Sequence, residues 1–163
     1  SPAAQVQGML FWLMGDLSAP RQVSGAALVL VAGLAVALLF ARSLNLLAHG
    51  EQPAAALGVN VPRLRYGIYF LASGLTAFAV TLAGGIGFVG LVVPHLVRLK
   101  VGGDHRVVLP EAVIAGGSQL VAAETLARTL FAPQQLPVGV LTAMLGVPVF
   151  LFLLRSAAVR QNP

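Results

Sequence analysis

Gly84-Gly85-Ile86-Gly87-Phe88-Val89-Gly90-Leu91-Val92-Val93-Pro94-His95 interrupts a stretch that carries no formal charge from Tyr66 to Val97. As one helix, residues 66–97 would reach ~48 Å, well beyond a hydrocarbon core of roughly 30 Å. The glycines therefore mark a turn. They leave 66–83 as a full crossing and 87–101 as a short helix that falls short of the core plus its interfaces. A broken helix persists in a membrane only where its freed backbone groups are buried in protein or face a water-filled path, because lipid offers them no partners. The break, with Gly84, Gly85, Gly87, Gly90 and Pro94 as its turn residues, points first to a transport protein.

Composition agrees with a membrane location. Hydrophobic residues make up 58% of the chain and charged residues 9%, where soluble domains carry about 25% charge. The mean hydropathy is +0.89. Zero cysteines exclude disulfides and thiolate metal sites. A net charge of +5 could serve nucleic acid, yet the basic residues lie scattered between apolar spans and form no stripe with interleaved aromatics, so no nucleic-acid partner is expected. Residue 1 lies just ahead of an apolar run with no start methionine, and the chain reads as a piece of something longer.

Working outward, residues 22–41 between Arg21 and Arg42 match one transmembrane helix, with Gly33, Ala37 and Ala41 as a small-residue stripe for close packing. A polar connection, 42–65, follows. The spans 66–83 and 87–101 come next, then a tight turn at Gly102-Gly103-Asp104-His105-Arg106. Residues 107–131 form a span holding Glu111, Glu124 and Arg128, ended by Pro133 and Pro137. A last span, 137–154, opens on Pro137 and stops at Arg155. Arg42, Arg63, Arg65, Arg98, Lys100, Arg106, Arg155 and Arg160 fall on one side, against Arg21 and Arg128 on the other. The positive-inside rule makes the first side cytoplasmic, so five crossings alternate, with 1–21 and 132–136 outside.

Leu57-Gly58-Val59-Asn60-Val61, the run Gly85 to Arg98, Asp104-His105-Arg106-Val107-Val108-Leu109-Pro110 and Leu136-Pro137-Val138-Gly139-Val140 resemble the FecCD-type permeases of binding-protein-dependent ABC importers, which carry iron-siderophores, haem and vitamin B12 across the bacterial inner membrane. The resemblance covers essentially the whole chain. It implies an all-α, polytopic helical bundle, with 1–163 as the C-terminal half of a permease domain of about ten spans, beginning near the end of the fifth helix. It also implies three partners: a separate ATPase subunit, an extracytoplasmic substrate-binding protein and a second permease subunit. An iron-siderophore is the leading expected cargo, ahead of haem and vitamin B12. No cofactor is expected.

The loop 47–60, with Ala48, His49, Gly50, Glu51, Ala56, Leu57 and Gly58, lies where similar permeases place the coupling helices that dock into their ATPase. Read from its breakers alone, it could equally be an ordinary interhelical loop. Pro53 restricts any helix here to a start at that residue. The chain has no Gly-x-x-x-x-Gly-Lys-[Ser/Thr] phosphate loop, so ATP hydrolysis is expected on another polypeptide and the chain is not expected to be an enzyme. Gly116-Gly117-Ser118-Gln119 sits inside an apolar span, where small residues serve packing.

His95 is read as a hydrogen-bonded structural residue near the interface, with a substrate or proton role as the alternative. His49, His95 and His105 share no helical face, so no metal site is expected. Glu124 and Arg128 are spaced to pair on one helix, while the resemblance assigns Arg128 to docking of the binding protein. Asp104-His105-Arg106 reads as a solvated turn and helix start. A secondary transporter or channel remains the alternative, although it needs intramembrane acids or coordinating polar clusters that the spans before 107 almost wholly lack. A purely structural membrane subunit would differ in having no ATPase-binding loop.

Overall fold

The computed structural model describes residues 2–17, 23–130, 132–134 and 136–160, without the side chains of 159 and 160. Arg21, the expected start of a span at 22, its counterpart end at 131 and the Arg160 side chain lie outside the described residues. Among these residues the chain is all helical: α1 (Pro2–Leu13), α2 (Val23–Leu47), α3 (Glu51–Ala56), α4 (Val61–Ala83), α5 (Val89–Val101), α6 (His105–Leu130) and α7 (Val138–Arg160). Helices α2, α4, α6 and α7 are long and apolar enough to cross a membrane. Helix α5, at 13 residues, reaches ~20 Å and is the short segment of the broken pair.

The long helices overrun the expected spans. Helix α2 continues past Arg42 to Leu47, α4 begins at Val61 ahead of Arg63 and Arg65, and α7 runs past Arg155. A charge ends the hydrocarbon-buried part of a helix, whereas the helix itself continues until a breaker or a competing cap appears. For α2 that breaker is Gly50, at φ +117°. For α4 the start is set by Asn60, whose Oδ1 accepts the Arg63 N–H at 3.1 Å.

Two compact units make up the chain. One comprises Ser1–Ala19, Ala83–Leu96 and Ile114–Pro163, the other Pro20–Leu82 and Val97–Val113. In both, the buried residues are mostly small or β-branched, among them Ala123, Ala127, Val138 and Thr142 in the first and Ala41, Ala54, Val61 and Val108 in the second, with Leu64 the exception. Large apolar side chains point outward, with Leu39 80% and Phe70 77% exposed. This distribution suits lipid as solvent, where association rests on close backbone approach rather than on removing apolar area from water. The stripe on α2 behaves accordingly. Gly33 and Ala41 are buried, and Leu75 of α4 lies where a Gly33 side chain would begin. Gly116 likewise faces Val89 and Val93 of α5.

Hydroxyl groups on the spans satisfy themselves locally. Thr81, Ser118, Thr125 and Thr129 each donate to the carbonyl four residues earlier, at 2.7–2.8 Å, which removes the cost of an unpaired donor in hydrocarbon. Buried Thr142 donates instead to the Gly139 carbonyl at 3.0 Å.

Candidate functional site

The loop between α2 and α4 is built from two glycines and a helix of six residues. Gly50 N–H closes the end of α2 on the Leu47 carbonyl at 3.0 Å, and the Gly50 carbonyl accepts the first α3 bond, from Ala54, at 3.3 Å. Helix α3 begins at Glu51, two residues before Pro53. The expectation that Pro53 must start the helix is therefore corrected. Any first-turn N–H lacks an intrahelical acceptor, so a proline at the third position forfeits nothing. At the other end, Gly58 takes φ +86° and Val59 N–H bonds back to the Ala54 carbonyl at 3.0 Å, the left-handed closure that only glycine adopts cheaply.

Ala54 is fully buried and holds α3 against the unit. Ala48, His49, Glu51, Ala56 and Leu57 remain exposed and present a free face. The Glu51 carboxylate pairs with the guanidinium of Arg65 on α4, and His49 Nδ1–H donates to the Asn45 carbonyl at 2.9 Å. The result is a short, internally braced helix projecting between two long apolar ones.

The glycine break lies in the other unit. Gly84 turns the chain at φ +72°, and an added Cβ there would overlap the Trp12 carbonyl oxygen. One at Gly85 would come within 2.9 Å of the Leu13 carbonyl oxygen. Asp16 N–H bonds to the Ala83 carbonyl at 2.9 Å, so the segment after α1 packs closely on the broken backbone and supplies a donor to it. Gly85 and Gly87 share the break, but Gly90 and Pro94 sit inside α5. Gly90 is the residue four before Pro94, where a proline ring crowds the carbonyl.

Phe88 is the turn residue that spacing does not reveal. It takes φ +66°, and its ring meets Phe150 edge-on at 6.5 Å and covers Gly146. Gly139, at the start of α7, closes the same corner, since a Cβ there would overlap the Met14 carbonyl oxygen. His95 does not behave as expected. It is exposed on α5 and makes no hydrogen bond among the described residues.

Arg128 donates from Nε to Glu124 at 2.7 Å, with its own side chain half exposed. The pair lies on a small pocket with Phe11, Asp16, Ala127, Leu136, Pro137 and Val138.

A second polar cluster carried only a partial signal in the sequence. Asp104 caps α6 through the Arg106 N–H at 2.9 Å and accepts from Asn45 Nδ2 at 2.7 Å. These donors hold its carboxyl below the usual carboxylate range, the Arg106 N–H foremost. Asn45 Oδ1 accepts both the His105 N–H at 2.8 Å and its ring Nδ1–H at 2.7 Å. The bare Nε2 then accepts from Arg98 at 3.3 Å. The turn is exposed and opens α6, as expected; it is also tied to the end of α2, and nothing local to either segment announces that pairing.

The family model for the FecCD transport family matches residues 1–156. The chain is 49% identical over 158 residues to the cobalamin import system permease protein BtuC of Halobacterium salinarum, covering 96% of this chain and 42% of that protein. It is 44% identical to the hemin transport system permease protein HmuU of Yersinia pestis, covering 92% of this chain and 46% of that one. Against the Fe(3+) dicitrate transport system permease protein FecD of Escherichia coli it is 43% identical, with 91% and 48% covered. A solved metal-chelate type ABC transporter in an inward-facing conformation superposes with a TM-score of 0.83 at 33% identity, over 91% of this chain and 50% of that one. The chain thus spans about half the length of the relatives it matches.

Proposed function

The chain belongs to the FecCD transport family, and from that premise we propose that it is the C-terminal half of the membrane permease subunit of an ABC importer for a metal chelate, with an iron-siderophore as the leading cargo. It is a multi-pass protein of the cytoplasmic membrane. The single observation that carries the mechanism is helix α3, braced between two membrane-length helices by Gly50, Gly58 and the Glu51–Arg65 pair. A rigid, exposed short helix on the cytoplasmic side is what an ATPase can grip. ATP-driven closure of two such ATPases moves α3, and α2 and α4 tilt with it as levers. The break at 84–88 supplies a place where the backbone path bends between α4 and α5, which a membrane tolerates only where that backbone is buried in protein or faces water. Hydrolysis itself belongs to the ATPase, and a second permease subunit completes the pathway.

The test is co-purification of the full-length permease with its ATPase, joined to a topology measurement. In a chain without cysteine, single cysteines at Gln52 and Gln134 are expected to label from opposite sides of the membrane, 52 from the cytoplasm. Labelling of both from one side overturns the orientation.

The outward corner at Arg128 docks the substrate-binding protein. A rim charge acts mainly on association rate and its salt dependence, so Arg128→Glu is expected to slow association several-fold at low ionic strength and little at high. Glu124→Gln, which leaves the arginine in place without its helix partner, is expected to preserve docking. If Arg128 served only the bond to Glu124, correctly folded Arg128→Glu protein would associate at the original rate at both salt concentrations.

A further inference from the structure

We infer that Asn45 is a positioning residue that carries movement of the α2–α4 loop to the turn between α5 and α6. This rests on the importer reading and adds to it a route from α3 to the broken-helix segment.

Asn45 is bonded in two directions. Its backbone carbonyl accepts His49 Nδ1–H at 2.9 Å, at the first turn of the loop. Its side-chain amide spends both ends on the α5–α6 turn: Nδ2 on Asp104 at 2.7 Å, Oδ1 on the His105 N–H at 2.8 Å and on His105 Nδ1–H at 2.7 Å. Through His105 Nε2 the same set reaches Arg98, in the last turn of α5. One residue therefore joins the loop to the end of α5 and the start of α6, across separations of 59 and 60 residues.

The arrangement orients the turn rather than creating it. Helix α6 has its own N-cap in Asp104, so its start survives without Asn45. Gly102, at φ +88°, and Gly103 have open space where side chains would be, and they fix no direction for the turn. The amide of Asn45 does so, with three short bonds from one rigid planar group. Four first-turn N–H groups of a helix lack internal acceptors, and α6 draws one of its own from α2.

The test uses the full-length permease reconstituted with its ATPase, carrying a nitroxide on a single cysteine at Gly103, with ATP plus vanadate as the probe. The nucleotide-dependent change in label mobility is expected in the otherwise unaltered protein, and is expected to fall at least three-fold in Asn45→Ala while ATPase binding and hydrolysis persist. Asn45→Asp, which sets two carboxylates against each other, is expected to lose the response as well. Combining Asn45→Asp with Asp104→Asn exchanges amide and carboxylate, keeps every donor–acceptor pair and keeps a cap on α6, and is expected to restore it.

A merely structural Asn45 would lower the yield of complex and leave the response of each folded complex unchanged, and that result overturns the inference. A label at 103 that ignores nucleotide in the unaltered protein, with the ATPase bound, overturns it too. Failure of the unaltered permease to bind the ATPase at all instead removes the importer reading on which it stands.

Discussion

Gly84→Ala and Gly139→Ala are each expected to leave the permease too unstable to survive detergent extraction as a monodisperse protein, while Gly74→Ala and Gly117→Ala leave it intact. A Cβ at Gly84 overlaps the Trp12 carbonyl oxygen, and one at Gly139 overlaps the Met14 carbonyl oxygen and comes within 2.9 Å of that of Gly85. Backbone carbonyls of packed helix ends cannot rotate aside as a leucine tip can. At Gly84 the positive φ of 72° adds a left-handed penalty of roughly 1–2 kcal/mol to an overpacking cost of about 1–3 kcal/mol or more. Together these take a large share of a typical stability of about 5–15 kcal/mol. Gly74 and Gly117 sit within helices with open space where a Cβ would go, and alanine there gains up to about 1 kcal/mol of helix propensity. Size-exclusion profiles after mild heating compare the four. Indistinguishable profiles would mean that the corner between the end of α1, the break and α7 does not hold the fold.

The contrast between these glycines shows how far the sequence could be read. A run of glycine in a charge-free stretch is enough to announce a break, since length alone forbids a straight helix. Which glycines make the break depends on what approaches them. Gly139, whose Pro-Val-Gly-Val context marks a family resemblance but no packing role, matters because Met14 passes over it, and Gly90 within the conspicuous run is an ordinary helix residue. The spans were legible from hydrophobicity and their ends were not, because Arg42, Arg63 and Arg155 stop immersion in lipid without stopping the helix. The importance of Asn45 was invisible for the same reason as that of Gly139. Its partners lie about 60 residues away, and an asparagine near the end of an apolar helix carries no periodic or spacing signal. His95 errs in the other direction: a histidine in an apolar run suggests a partner, but it is exposed on α5 with no hydrogen bond among the described residues.

Glu51→Lys and Gly50→Val are expected to weaken ATPase association about ten-fold or more while the permease remains folded in the membrane. The two substitutions act on different supports of α3. Gly50 holds φ +117° and ψ 159°, a region nearly closed to residues with a Cβ, so valine imposes roughly 1–3 kcal/mol of strain. A loop with one buried residue, Ala54, relieves that strain by moving α3 rather than by unfolding the long helices. Glu51→Lys instead places an ammonium against Arg65. The original pair is exposed on both sides, and such pairs contribute about 0–1 kcal/mol to folding. Loss of the pair therefore cannot unfold the chain, yet it reverses the charge that α3 presents and frees its first turn. Joining Glu51→Lys to Arg65→Glu separates these consequences, because the brace returns with the surface sign still inverted. Recovery of ATPase binding in the double variant assigns the effect to the position of α3, and persistent loss assigns it to direct charge contact with the ATPase. Either result keeps α3 at the interface. If pull-down of the ATPase and permease-stimulated hydrolysis both survive in Gly50→Val and in Glu51→Lys, the ATPase grips the permease elsewhere and the coupling role of residues 48–58 is lost.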